Sequence, residues 1–118
     1  MNDATTTLAE LRTHLLAFRD ARDWARYHRP RNLALALGIE VGELAEHFLW
    51  RTDEEIEEAA ADETFRAEVA DEIADVLNYL LYIAEAMGVD VAAAVEAKVA
   101  RNEGRFPVGG RKARLGER

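Results

Sequence analysis

The chain has 118 residues, 49% of them hydrophobic, with no cysteine and a formal net charge of −8. That length suits one compact domain and is short for two; the lack of thiols rules out disulfides and leaves only oxygen or imidazole donors for any metal. The negative balance disfavours a nucleic-acid polymer as partner, the amino-terminal MNDATTTLAELR has no apolar signal core, and no apolar run approaches the ~18 residues that span a bilayer, so a cytoplasmic protein without membrane contact is expected.

Abundant Ala, Leu, Glu and Arg, with 7 Gly and 2 Pro, predict an all-α protein, a compact antiparallel helical bundle of about four main helices. Thr7 followed by Glu10 forms a capping-box pattern. Leu8, Leu11, Leu15 and Phe18 then recur at helical spacing, so a first helix is expected to reach about Trp24. Pro30 disfavours helix at Arg29, and Asn32 is placed as the cap of a second helix over residues 33–50; this makes the HRPRN stretch a loop carrying His28 and Arg31. Thr52 and Glu55 repeat the capping box and predict a short acidic helix ending near Asp62. A third long helix is expected from Glu63 to Met87. Its Leu77, Leu81 and Ala84 lie opposite the main apolar stripe, so one side is expected to meet another subunit. Gly88 suits the end of that helix, Asp90 caps a last one running to about Glu103, and Gly104 is read as its stop. Residues 1–107 are thus expected to form the domain and 108–118 a flexible tail.

Two acidic pairs interrupt this pattern. At 100° per residue, Glu40 and Glu43 fall within the stripe made by Leu33, Ala36, Leu37, Leu44, His47 and Phe48. Glu72 and Asp75 fall likewise among Phe65, Val69, Val76, Tyr79 and Ile83. Carboxylates facing a core repel one another and lose hydration unless a cation lies among them. Residues three apart share a helix face, so two antiparallel helices would bring both pairs around one or two divalent ions. Oxygen ligands favour Mg²⁺, with Mn²⁺ as the alternative. A di-iron carboxylate bundle would need inward Glu-x-x-His pairs, and neither helix has one.

The segments EVGELAEHFLW, DEIADVLNYLLYIAE and KVARNEGRFP, with the upstream RDWARYHRPRNLALAL, resemble the MazG-like nucleotide pyrophosphohydrolases, in particular their dCTP pyrophosphatase branch. The spacing E-x2-E, 28 residues, E-x2-D is similar to that family's metal signature, and the resemblance covers roughly residues 8–107. It implies Mg²⁺-dependent hydrolysis of a nucleoside triphosphate, dCTP or a modified dCTP first among them, to the monophosphate and pyrophosphate. Metal-activated water would attack the α-phosphorus, with Glu40, Glu43, Glu72 and Asp75 as the metal ligands and catalytic carboxylates.

The same resemblance suggests substrate contacts. Lys98 and Asn102, an i,i+4 pair, and Arg105 just beyond are placed for phosphate oxygens. Trp24 and Trp50 match tryptophans that help enclose the base in similar enzymes, and aromatic faces stack on pyrimidines. His28 and Arg31 are in reach of a phosphate or the base, Tyr79 of a sugar or a carboxylate, and His14 is given no role. His47 departs from the family pattern, which has an apolar residue there; it projects toward the acidic face, in position to tune the metal site or touch substrate. A homo-oligomer follows from the two-sided third helix and from similar enzymes, a tetramer before a dimer. Two rivals remain: a pyrophosphohydrolase for dUTP, a broader NTP set or phosphoribosyl-ATP (the last disfavoured by the paired tryptophans), and a non-catalytic acidic helical module for a basic partner.

Overall fold

A computed structural model describes residues 1–109. Among these there are five α-helices and no strands: α1 (Leu8–Ala21), α2 (Pro30–Leu49), α3 (Asp53–Ala59), α4 (Glu63–Met87) and α5 (Val91–Arg105), with a 3-10 turn at Ala25–Tyr27. None is long and apolar enough to cross a membrane. The described chain falls into two compact units, one spanning Met1–Gly88 and the other beginning at Val89. The expected tail, residues 108–118, lies almost wholly outside the described residues.

Local chemistry accounts for most helix ends. Thr7 Oγ1 accepts the Glu10 amide at 3.1 Å, and Thr52 with Glu55 forms the reciprocal capping box. Asp62 and Asp90 cap α4 and α5 through the amides of Thr64 and Ala93. Gly88 closes α4 in the left-handed region at φ 65°, where a side chain would be strained.

Three boundaries differ from the sequence pattern. Helix α1 stops at Ala21 because Asp23 takes a left-handed conformation, φ 55°. The Trp24 amide then bonds back to the Arg19 carbonyl and the Asp23 amide to that of Asp20, each at 3.1 Å, which is a Schellman closure with aspartate in the place glycine usually fills. Helix α2 begins at Pro30, three residues early: proline's missing N–H costs nothing at the first helical position, and the restriction it imposes falls on Arg29, which is extended. Asn32 is therefore inside the first turn and not a cap, and Arg31 is helical. Gly104 does not stop α5, which continues to Arg105; a glycine without positive φ weakens a helix without ending it.

In the first unit α4 packs mainly on α2 and also on α1. The direction of the α2–α4 pair is antiparallel: His47 and Phe48 meet the Phe65 ring edge-on, with centroids 6.1 Å apart, while Glu40 in mid-helix lies beside Glu72 and Asp75. Helix α1 also runs against α4, since Arg12 pairs with Glu85 at 3.5 Å and the Tyr82 hydroxyl donates to the Leu15 carbonyl at 3.1 Å. The most enclosed side chains are Leu33 and Leu81, each 2% exposed, with Phe65, Tyr82 and Ala84. Of the two apolar sides of α4, the one carrying Leu81 and Ala84 is buried within the chain. The apolar residues α4 leaves outside are Ile73, Leu80 and Met87.

Tyr82 ties two helices through one hydroxyl. Tyr82→Phe keeps the ring and removes the inter-helix hydrogen bond to the Leu15 carbonyl, so a loss of about 1 kcal/mol is expected in urea unfolding.

Candidate active site

The antiparallel α2–α4 pair sets an E-x2-E beside an E-x2-D at mid-height. Glu40, Glu43 and Glu72 each bring a carboxylate oxygen within 4.8 Å of the others. Glu40 and Glu72 are half-buried, and Oε2 of each is buried without a hydrogen-bond partner. Asp75 is exposed but close enough for its charge to act on Glu40. Burial first, then the negative charges of Glu43 and Asp75, a hydrogen bond shared with Glu43 and the charge of Glu72 push the Glu40 carboxyl above its ordinary value of 4.5. Two carboxyls share such a bond only if one holds a proton. The protein thus gathers negative charge at a site that destabilises it.

A divalent cation resolves this. The donors are hard carboxylate oxygens on two elements, two of them desolvated and unpartnered, which fits Mg²⁺ or Mn²⁺ and excludes a thiolate-type site. His47 stands next to the cluster, its Nε2 3.9 Å from Glu72 Oε1.

Beside the carboxylates, between α1 and α4, lies a cavity of about 360 Å³. Asp75 and Tyr79 line it from α4, Phe18 from α1, and Trp24 and His28 from the connection between α1 and α2. Phe18 meets Trp24 edge-on at 5.6 Å, the contact that accompanies a Schellman turn, so the backbone of Asp23 aims the indole. His28 packs on the Tyr82 ring at 4.4 Å, and its Nδ1 is buried without a partner. Burial, and then the charge of Arg19, lower the His28 pKa and keep the ring neutral. The cavity is aromatic, with a few polar groups at its edge, and of a size for a planar heterocycle.

The structure therefore brings together Glu40, Glu43, Glu72, Asp75, Tyr79, Trp24 and His28. It does not bring Trp50 to the same place within one chain: Trp24 and Trp50 lie at opposite ends of α2, whose 20 residues rise about 30 Å, and Trp50 is 84% exposed. Arg31 is exposed on the first turn of α2 and is not among the residues lining the cavity. Lys98, Asn102 and Arg105 belong to the second unit, where Asn102 is half-buried and Arg105 lies over the Phe106 ring at 5.2 Å.

Three residues that line the cavity were given no role from the sequence: His14, Asn78 and Tyr82. His14 was without a role because its position on α1 is unremarkable; it acquires one only when α4 lies alongside. Asn78, a polar residue in the apolar run VLNYLLY, was the available clue.

Comparison with known proteins agrees with this architecture. The dCTP pyrophosphatase 1 of Homo sapiens is 44% identical over 101 residues, which cover 86% of this chain and 59% of that protein. The Bos taurus protein of the same name is 44% identical over 102 residues, covering 86% and 60%. This chain thus spans about three-fifths of the length of these relatives. Among solved structures, a pyrophosphatase from Archaeoglobus fulgidus superposes with a TM-score of 0.79 at 39% identity, covering 91% of this chain and 98% of that one. The MazG-like family model matches residues 35–114, a span that includes all four converging carboxylates. On the helical architecture, the paired acidic motifs and this match together, the chain belongs to the MazG-like family.

Proposed function

We propose that the protein is a nucleoside triphosphate pyrophosphohydrolase that uses Mg²⁺, or Mn²⁺ in its place, and acts on dCTP or a modified dCTP. The observation that carries this reading is the pair of buried, unpartnered oxygens of Glu40 and Glu72 within a three-carboxylate cluster, set next to an aromatic cavity. The names of the relatives supply the base and the leaving group.

In this reading Glu40, Glu43, Glu72 and Asp75 hold the cation, which when bound neutralises phosphate charge and acidifies a nearby water. The residues of the chain do the rest. Trp24 and Phe18 offer aromatic faces to a base, and neutral His28 and Asn78 offer hydrogen-bonding groups at its edge. Asp75 lines the cavity with Tyr79 and also acts on Glu40 in the acidic cluster, so a base in the cavity would have its sugar and α-phosphate toward the carboxylates. Glu43, the exposed member of the hydrogen-bonded pair, is open to water and is proposed as the carboxylate that receives its proton. Lys98 and Asn102, with Arg105, are proposed phosphate contacts, and Arg31 a weaker one, by similarity to the family's motifs.

A homo-oligomer, a tetramer before a dimer, is proposed as the working form in the cytoplasm. Leu35, Ile39 and Leu49 on α2 and Ile73, Leu80 and Met87 on α4 are exposed, more apolar surface than a monomer keeps without cost.

The test is a panel of ribo- and deoxyribonucleoside triphosphates with Mg²⁺, scored for pyrophosphate and phosphate separately. dCTP turned over to dCMP and pyrophosphate is the expected result; phosphate alone would reject attack at the α-phosphorus. Trp24→Ala should raise KM for dCTP by about tenfold, the equivalent of one lost stacking contact, with a smaller change in kcat. An unchanged KM would remove the cavity from the base-binding role.

A further inference from the structure

We propose that His47 supplies an imidazole nitrogen to the cation held beside Glu72, making the centre a mixed nitrogen and oxygen site that favours Mn²⁺ over Mg²⁺. The inference rests on the reading of the acidic cluster as a divalent-cation site and goes beyond it by adding a ligand of a different element. Its source is a distance. His47 Nε2 lies 3.9 Å from Glu72 Oε1, too far for a hydrogen bond and too close for indifference between two side chains each only about one-fifth exposed, 21% and 20%. An ion about 2.1 Å from each of two ligand atoms spans separations up to about 4.2 Å, so one cation fits the gap.

The surroundings hold the ring in this place. His47 is one turn beyond Glu43 on the same face of α2, and its flank meets the edge of Phe65 with centroids 6.1 Å apart. That contact fixes the ring but does not need a nitrogen, because a leucine would cover Phe65 as well. The second oxygen of Glu72, Oε2, is buried without a partner, so Glu72 presents one oxygen to His47 and keeps another available to the cluster. An imidazole added to carboxylates strengthens binding of Mn²⁺ and the later first-row ions more than that of Mg²⁺, which prefers oxygen.

The experiment uses the tag-free full chain at pH 8 with substoichiometric Mn²⁺, read by electron spin-echo envelope modulation for coupling to imidazole ¹⁴N. Calorimetric titration with Mn²⁺ and Mg²⁺ runs in parallel. Wild type should show the nitrogen modulation, and His47→Leu, which keeps the packing on Phe65, should lose it. The variant's Mn²⁺ affinity should fall about tenfold, with Mg²⁺ affinity changed less than about twofold. Bound Mn²⁺ without nitrogen modulation in wild type, modulation that persists in His47→Leu, or an unchanged ratio of the two affinities would each overturn the proposal and leave the carboxylate site standing. Failure of wild type to bind either ion would overturn the proposal together with the cluster reading. A circular dichroism melt of His47→Leu within a few degrees of wild type separates ligand loss from unfolding.

Discussion

Glu40→Gln is expected to lower pyrophosphate release by roughly a hundredfold or more while raising the melting temperature of the metal-free protein. Loss of a charged oxygen at the proposed cation site removes several kcal/mol of charge stabilisation, and each 1.36 kcal/mol is about tenfold in rate. The stability change runs the other way. Glu40 is half-buried, one of its oxygens has no partner, and three other carboxylates act on it, so its carboxyl titrates above 4.5 in the folded chain. The folded state then keeps a proton that the unfolded chain releases. Stability is whole below about pH 4.5 and falls as pH rises through the raised pKa. Glutamine has nearly the same shape and no charge to desolvate, so the variant should lose that decline, and at pH 8 it should melt higher than wild type when both are free of metal. Adding Mg²⁺ with a non-hydrolysed dCTP analogue should reverse the order, because only wild type keeps the full set of donors and gains the binding free energy. Two curves, melting temperature against pH with chelator and with Mg²⁺, test the idea. A wild-type profile flat above pH 4.5, or a variant that melts lower at pH 8, would show that the carboxylates are already satisfied without an ion.

That this cluster could be read from sequence follows from periodicity. Acids at positions 40, 43, 72 and 75 occupy the angular arc of Leu33, Leu37, Leu44, Phe65, Val69 and Val76, and a charge on a core-facing arc calls for an explanation whatever the fold. Caps were legible for a similar reason, since Thr7, Thr52 and Asp90 act on amides three residues away. What was hidden depends on backbone choice or on distance along the chain. The stop at Ala21 needs a left-handed residue, and aspartate takes that conformation too seldom to signal it; with the stop went the direction of Trp24. The cavity joins His14 to Tyr79, 65 positions later, and no local pattern connects them. Trp24 and Trp50 looked like a pair because each ends a helix, yet α2 holds them apart. Which side of α4 faces outward was left open for a related reason. A helix that is apolar nearly all round does not say which flank its own chain will cover, and α1 packs on α4 and leaves Ile73, Leu80 and Met87 outside.

Leu81→Ala should produce the largest loss of stability, about 2–5 kcal/mol, and reach the active site through the backbone of α4. Leu81 is 2% exposed, and removing its side-chain carbons leaves a void that the neighbouring helices fill only in part. Against a total of about 5–15 kcal/mol for a domain of this size, that is a drop in melting temperature on the order of 10 °C or more. Its position makes the consequence specific. Leu81 lies less than two turns beyond Asp75 on the same helix and next to Tyr82, whose hydroxyl holds α1 to α4, and the cavity is built between those two helices. Loosening this joint should raise KM for the nucleotide more than it lowers kcat, since the carboxylates on the α2–α4 face keep their own contacts at Phe65 and His47. Saturating Mg²⁺ and nucleotide should restore part of the lost melting temperature, because binding draws the population back to the closed arrangement. The variant also separates two kinds of defect. It should melt lower than wild type at every pH and keep the decline with rising pH assigned to Glu40, whereas Glu40→Gln should abolish the decline and melt higher. If Leu81→Ala lowered kcat a hundredfold with KM unchanged, the division between a core that sets the cavity and a cluster that performs the chemistry would be wrong.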